Sequence, residues 1–360
     1  MTTETTFGGH RIFVTGGAGF IGSRLVRQLS AKGAELGVYD NLLAQVHGPS
    51  PSVNLPAQVT IADVRDGDAL SAAITAFKPT MVVHLAAETG TGQSADEPVR
   101  YVDVNVGGTA RLIEAMRRLD KPPQRVVLAA TRAVYGESAY RTATGDIVIP
   151  SPRRPEDMAK GIFDVHGADG ATLTPERTLE TMAPAPSSVY GSSKLMQEYL
   201  LLQVPAAWNT TILRLQNVYG PGQSLRNPYT GVLSIFCQQA MAGKTLNIYE
   251  DGLIYRDFVF IDDVVSAFVA ACADGGQADR LLNVGTGHET SILSAARMIL
   301  TDLCLPDHQL TVTGDFRAGD VRYAVADISR TLAALDWTPR VSFAEGVAQL
   351  VNWAKAEARL

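Results

Sequence analysis

Short apolar runs alternate with segments of helical spacing along the first half of the chain. Arg11–Thr15 is an apolar run that gives way to glycine, which predicts a buried strand. Phe20–Lys32 has apolar residues at helical spacing and stops at Gly33, which predicts a helix with a glycine C-cap. Strands are predicted at Leu36–Tyr39, Val59–Ala62, Met81–Leu85 and Arg125–Ala130, with helices at Asp68–Phe77 and Val99–Leu119 between them. A helix near Ser188–Leu202 and a strand near Thr210–Leu215 extend the series. Such alternation implies right-handed βαβ units and a parallel sheet, so the fold class is α/β.

The pattern breaks between Gly136 and Ser187, where Pro, Gly, Thr and charge dominate. An insertion of that length in a compact domain is usually functional or disordered. Lying between two candidate catalytic segments, 137–187 is expected to form an ordered flap over the site. Beyond about Tyr219 the elements become shorter and mixed, with helices expected near Val232–Ala242, Asp263–Ala273, Ser291–Leu303 and Phe343–Ala358. The expected division is a nucleotide-binding unit at 1–218 and a smaller mixed α/β substrate lobe at 219–360.

Composition narrows the classes. With 360 residues, 46% of them hydrophobic, the chain has ample core, and its formal net charge of −6 argues against a nucleic-acid partner. Cys237, Cys272 and Cys304 have no close pairing in sequence and read as buried small hydrophobes. No disulfide framework, zinc site or other metal is expected. The start, MTTETTFGGH, lacks a basic region followed by an apolar run, so no signal peptide is expected. No stretch of 18 apolar residues predicts a membrane span. The expected compartment is the reducing cytoplasm.

Residues Thr15–Gly22 read TGGAGFIG, with Gly16, Gly19 and Gly22 three apart and Gly17, Gly19 and Gly22 also matching G-x-G-x-x-G. Glycines in that spacing make a tight strand-to-helix turn, let backbone approach a pyrophosphate and let the helix pack on the sheet. Unsatisfied N–H groups at the helix start then meet the phosphates. The unit predicted is a Rossmann-type doubly wound parallel sheet. Asp40 ends the second strand, where a carboxylate accepts the ribose hydroxyls and repels a 2′-phosphate, favouring NAD over NADP. Asp63, ending the third strand, is a candidate for the adenine amino group.

Tyr190 and Lys194 stand four apart in YGSSK and so share a helix face. An ammonium there, with an oxidised nicotinamide nearby, is expected to lower the Tyr190 pKa towards neutrality and make it a general base. Thr131 ends the strand at Arg125–Ala130, where open α/β sheets form ligand crevices, and its hydroxyl is placed to share the substrate hydrogen bond.

With TGGAGFIG, HLAA at His84–Ala87, VNVGGT at Val104–Thr109, TRAVYG at Thr131–Gly136, YGSSK, LRLQNVYGPGQ at Leu213–Gln223, YRDFVFIDDV at Tyr255–Val264 and RAGDVR at Arg317–Arg322 in this order, nearly the whole chain resembles the extended short-chain dehydrogenase/reductase superfamily, in its nucleotide-sugar epimerase and dehydratase branch. That resemblance implies catalytic roles for Thr131, Tyr190 and Lys194, a sugar-contacting Asn217, and diphosphate-binding Arg256 and Arg317, with Arg322 a further candidate. It also brings Arg132, Tyr249 and Asp320 to the substrate. Around the cofactor, beside Gly16, Gly19, Gly22, Asp40 and Asp63, it places Phe20, Ile21, Asn41, Val64, Leu85, Ala86, Ala87 and Asn105.

Within the branch, 4,6-dehydratases carry an Asp-Glu pair after the catalytic Thr, and Arg132 and Ala133 stand there. The decarboxylases' Glu and the 3,5-epimerases' Cys are also missing from that stretch. The reaction implied is therefore NAD-dependent epimerisation of a nucleotide-diphosphate sugar at carbon 4. The alternatives are a 4-ketoreductase, a 4,6-dehydratase with an unusual acid, or a silent NAD-binding scaffold. The stretches AAETGTGQS, TRAVYGESAY and QSLRNPYTGVLSIF are similar to those of epimerases acting on dTDP-6-deoxysugars such as dTDP-L-rhamnose. Arg226 and Tyr229 in the last stretch are open candidates for ligand contact. The resemblance also implies a homodimer, helices Val99–Leu119 and Ser188–Leu202 pairing with their copies through Val102, Val106, Leu112, Leu195 and Leu202.

Overall fold

The computed structural model describes residues 6–49, 51–204, 208–225, 231–273, 275 and 280–358. Its central sheet has seven strands: β1 (Arg11–Thr15), β2 (Glu35–Asp40), β3 (Gln58–Ile61), β4 (Met81–His84), β5 (Arg125–Thr131), β6 (Asn209–Leu215) and β7 (Arg280–Val284). They run in the order β7-β6-β5-β4-β1-β2-β3, and every pairing is parallel. The long helices are α1 (Phe20–Ala31), α2 (Gly67–Phe77), α3 (Gly108–Arg117), α4 (Val189–Gln203), α5 (Val232–Met241), α6 (Ile261–Ala273), α7 (Ile292–Leu303) and α8 (Phe343–Glu357).

The continuous apolar runs of the strands follow from burial on both faces. In β1, Ile12 and Val14 join one core with Leu25 and Leu29 of α1 and Phe268 of α6. Phe13, pointing the other way, joins a second core with Leu70 and Ile74 of α2 and Leu112 and Met116 of α3. Side-chain caps start several of the helices. Ser188 accepts from the Gly191 amide at 3.0 Å at the head of α4, and Ser342 and Glu345 form a capping box on α8. Gly33, at φ 90°, follows the end of α1 as its glycine spacing predicts.

Several expectations need correction. The helix expected at Val99–Leu119 runs without a break from Pro98 to Arg117, but its middle is wound as π-helix at Val102–Gly107, between an α-turn at Pro98–Tyr101 and α3. The division at 218/219 is crossed by the chain, since β7 returns to the central sheet beside β6 and α6 packs on α1. The two lobes are interleaved rather than consecutive. Cys237 and Cys272 are buried, but Cys304 is exposed in a left-handed C-cap after α7.

The insertion at 137–187 is ordered, as a three-stranded sheet of Ala139–Arg141, Ile147–Val148 and Thr174–Glu176 with a short helix at Pro155–Met158. It is a buttress rather than a flap over the site, because none of its residues lines the cleft described below. Tyr140, Val165 and Leu173 pack on Tyr323 and Val325 of the small lobe. Buried Arg153 grips both carboxylate oxygens of Glu250 at 2.8 Å and donates to the Phe163 carbonyl at 2.9 Å and the Asp320 carbonyl at 2.8 Å. Among the described residues no helix is long and apolar enough to cross a membrane.

Removing one partner of a buried ion pair leaves the other charge uncompensated. Arg153→Ala is expected to lower stability by about 3 kcal/mol in chemical denaturation, the low end for such a loss because Arg322 still reaches Glu250.

Candidate active site

A cleft of about 1000 Å³ opens at the carboxyl ends of β1, β2, β4, β5 and β6 and is closed on its far side by the small lobe. Gly16, Gly19, Phe20, Ile21 and Gly22 line it where β1 turns into α1. Gly16 sits at φ 70°, and a Cβ there would lie 2.7 Å from the Ala86 nitrogen. A Cβ on Gly22 would lie 2.3 Å from the Gly16 carbonyl. Both are backbone contacts that cannot give way. Gly19 caps α1 without a side-chain hydrogen bond, so the first amides of the helix remain available to an anion.

Asp40 and Asn41 line the cleft at the end of β2. Asp40 accepts hydrogen bonds from the amides of Ala18 and Leu42, each at 2.9 Å, so it also shapes the glycine turn. Val64, Leu85, Ala86 and Ala87 line the same wall. Asp63 and Asn105 do not. The Asp63 carboxylate is taken up by Arg65 at 2.9 Å and by Asn41 at 2.9 Å, and the Arg65 hydrogen bond holds it down at about 2. Asn105 is buried behind the wall. Its amide clamps the Glu88 backbone at 2.8 and 3.1 Å and donates to the Ser193 hydroxyl at 2.9 Å, next to Lys194.

Thr131, Tyr190 and Lys194 come together in the cleft from the end of β5 and the first turns of α4. The Thr131 hydroxyl hydrogen-bonds the Tyr190 phenol. The Tyr190 amide is held by Ser94 Oγ at 3.1 Å. The expected fall in the Tyr190 pKa is not produced by the protein's own groups. Burial raises it, outweighing the downward pulls of Thr131 and Arg132. Burial likewise lowers Lys194 to about 7, against the opposing carboxylate of Glu198. Each ion is costly alone in this enclosure, so ionising Tyr190 depends on positive charge brought close to it. Behind Lys194, buried His84 bridges Thr15 at 2.6 Å and Thr109 at 2.9 Å, and burial lowers it to about 3.

The same cleft is lined by Asn217, Tyr249, Arg256, Arg317 and Asp320, with Arg132 beside Thr131. Arg256 donates to Asp320 Oδ1 at 2.8 Å. Arg317 lies 5.0 Å from the centre of the Tyr249 ring. Arg132 Nη1, Asn217 Oδ1 and Gln216 Oε1 are buried without a hydrogen-bond partner among the described residues. Arg322 is not in the cleft. It is committed to Asp251 at 2.6 and 2.7 Å and to Glu250 at 3.0 Å. Arg226 and Tyr229 lie outside the described residues. Sequence reading missed Thr245 and Asn247, which line the cleft with Tyr249. The signal was present, since positions 245, 247 and 249 alternate with buried Leu246 and Ile248 at strand period.

The glycine turn, the uncapped helix start and the Asp40 carboxylate fit a dinucleotide with a free ribose hydroxyl. The nucleotide released when the purified protein is denatured is expected to be NAD; mostly NADP would contradict the role given to Asp40.

Comparison with known proteins agrees with this geometry. The model of the NAD dependent epimerase/dehydratase family matches residues 12–285. The chain is 43% identical over 354 residues to a dTDP-L-rhamnose 4-epimerase of Burkholderia thailandensis, covering 97% of this chain and 96% of that one. Among solved structures it superposes on a UDP-glucose 4-epimerase from Thermotoga maritima with UDP-glucose, at a TM-score of 0.79 and 28% identity over 96% of this chain and 99% of the other. A Thermus thermophilus UDP-glucose 4-epimerase in complex with NAD gives a TM-score of 0.77 and 29% identity over 96% and 99%. The glycine cradle, the Thr-Tyr-Lys group and the arginine wall thus occur on a chain that belongs to the NAD dependent epimerase/dehydratase family.

Proposed function

We propose that the protein is an NAD-dependent nucleotide-sugar 4-epimerase, acting in the cytoplasm on a dTDP-6-deoxysugar of the dTDP-L-rhamnose type. The observation that carries this is one cleft lined both by Thr131, Tyr190 and Lys194 and by Arg256 and Arg317. The buried, unpartnered polar atoms of Arg132, Asn217 and Gln216 in the same cleft suit a hydroxyl-rich ligand, because a buried polar group without a partner costs about 1–3 kcal/mol. The choice of sugar and base rests on the 43% identity to the Burkholderia enzyme. Positions 132 and 133 add support, since Arg132 and Ala133 offer no carboxylate for eliminating water.

Gly16, Gly19, Gly22 and Asp40 would hold the cofactor's pyrophosphate and adenosine ribose. Bound NAD supplies a reversible acceptor for the hydrogen of carbon 4. Tyr190, as phenolate, takes the proton of the hydroxyl on carbon 4 and later returns it. Thr131 steadies the same oxygen as its charge changes. Lys194, four residues after Tyr190 on α4, would add its charge to that of the bound cofactor in favouring the ionised form of Tyr190. Arg256 and Arg317 hold the diphosphate while the sugar turns to present its other face, and their planar forks suit that task better than lysines would.

The test is incubation with UDP-, dTDP- and GDP-sugars, followed by NMR for epimers at carbon 4. Reversible interconversion without added NADH is expected, and released ketone would point to a reductase or dehydratase instead. Tyr190→Phe is expected to lower turnover at least about a hundredfold, the low end for a lost general base, while leaving the cofactor content unchanged.

We also propose a twofold homodimer through the exposed apolar face formed by Val99, Val102, Met196, Tyr199 and Leu202 on the 98–107 segment and α4. Leu112, expected in that interface, belongs to the core, and Val106 and Leu195 are half-buried. Light scattering at micromolar concentration should report twice the chain mass; a monomer there would contradict the proposal.

A further inference from the structure

Arg132 differs from the other arginines of this region in what surrounds it. Arg256 donates to the Tyr255 carbonyl and to Asp320, each at 2.8 Å. Arg153 and Arg322 share Glu250, and Arg214 grips Glu198, so each of these guanidiniums is bonded to a carboxylate even though Arg153 Nε and Arg214 Nη1 are also buried without a hydrogen-bond partner among the described residues. Arg132 directly follows Thr131 and lines the same cleft, half-buried as a residue, yet its Nη1 is sealed with no hydrogen-bond partner among the described residues. The charges facing it are Arg256, which repels it, and Asp320, Glu137 and Tyr190, which offset that in part. Both carboxylates are engaged elsewhere. Asp320 bonds Arg256, and Glu137 accepts from the Arg322 amide at 2.7 Å and the Tyr140 hydroxyl at 3.1 Å. Burial and the neighbouring Arg256 therefore prevail, and the guanidinium is pushed down to about 10. A buried cation short of partners and facing a second cation is unfavourable until something brings negative charge.

We propose that Arg132 is an oxyanion-binding, specificity-determining residue that brackets, together with Arg256, an anionic group of the ligand at the junction of sugar and diphosphate. The inference rests on the nucleotide-sugar reading above and deepens it. Tyr190 on one side of Arg132 and the Arg256–Asp320 pair on the other mark that junction. The shared chemistry is an oxyanion, which two sources supply: the phosphate nearer the sugar, or a carboxylate carried by the sugar itself. A planar guanidinium whose Nη1 has no partner among the described residues suits either, through charge-assisted hydrogen bonds. Anchoring the ligand next to the sugar also keeps the turning arm short, so that the sugar moves while the nucleotide does not.

The experiment uses the NAD-loaded protein and its Arg132→Met, Arg132→Gln and Arg132→Lys variants. Thermal unfolding is followed without substrate, and binding of UDP, dTDP, UMP, dTMP and UDP-glucuronate is measured by titration calorimetry. Arg132→Met is expected to melt higher than wild type by about 2 °C or more, because an unpaired buried charge is gone. Affinity of the Met and Gln variants for whichever diphosphate the wild type binds is expected to fall at least about tenfold, as for a lost charge-assisted hydrogen bond, with the monophosphates unaffected. Arg132→Lys should restore part of the loss. A loss confined to UDP-glucuronate assigns the oxyanion to a sugar carboxylate. Unchanged affinity for both the diphosphates and UDP-glucuronate overturns the proposal, whatever the melting temperature does. A lower melting point with equal losses for mono- and diphosphates marks a structural arginine and overturns it too. Wild-type protein that binds no nucleoside diphosphate overturns instead the nucleotide-sugar reading on which the proposal stands.

Discussion

Parallel pairing of β1 with β2 on one side and β4 on the other is the constraint on which the rest depends. A parallel neighbour requires a crossover; the chain steps from β1 to β2 and β3 on one side, then crosses back to β4 on the other, and this reversal leaves a crevice at the carboxyl ends of β1 and β4. The glycine turn after β1, Asp40 at the end of β2, Ala86 after β4 and Thr131 at the end of β5 meet there because every strand ends at that edge. The backbone must pass closely at this point. The gap between Gly16 and Ala86 has no room for a Cβ, nor has the gap between Gly22 and Gly16. Sheet topology thus creates the cleft, and missing side chains let a dinucleotide reach the amides within it.

Polar groups around the cleft follow two regimes. Those behind the walls are held by several strong bonds, such as Asn105 between Glu88 and Ser193, or Arg153 between Glu250 and Asp320, even where a single atom such as Arg153 Nε keeps no partner among the described residues. They fix the backbone carrying the reacting groups. Those inside are left short of partners: Arg132, Asn217 and Gln216 each keep a buried atom without a hydrogen bond among the described residues. Tyr190 and Lys194 are likewise held where burial disfavours their ions. Stability given up inside the cleft becomes interaction energy available to whatever fills it, while the matched groups outside keep the geometry from relaxing.

The insertion at 137–187 belongs to the outer, matched group. Arg153 joins the segment ending at Glu250, next to Tyr249, to the loop carrying Arg317 and Asp320. Its influence on the site passes through the backbone of the small lobe, by way of the Asp320 carbonyl whose side chain holds Arg256.

Local patterns along the chain were enough to read the α/β class, the order of strands and helices, the glycine turn, Asp40 and the Thr131–Tyr190–Lys194 group. All of these depend on local periodicity, on turn chemistry or on position at a strand end. Only the tertiary structure decided what depends on partners far apart in the chain. Asp63 and Arg322 carry the charges a ligand site needs, but Arg65 and Asn41 take the first and Asp251 and Glu250 the second. Asn105 holds the wall rather than lining it, because Glu88 and Ser193 arrive on either side. The insertion became a buttress because Val165 and Leu173 found Tyr323 and Val325, more than 100 positions away in sequence. The expected boundary at 218 was crossed because the edge of β6 still needed a parallel partner, and Arg280–Val284 supplies it. A side chain's chemistry can be read from its letter, but whether that chemistry is free for a ligand depends on what the fold brings against it.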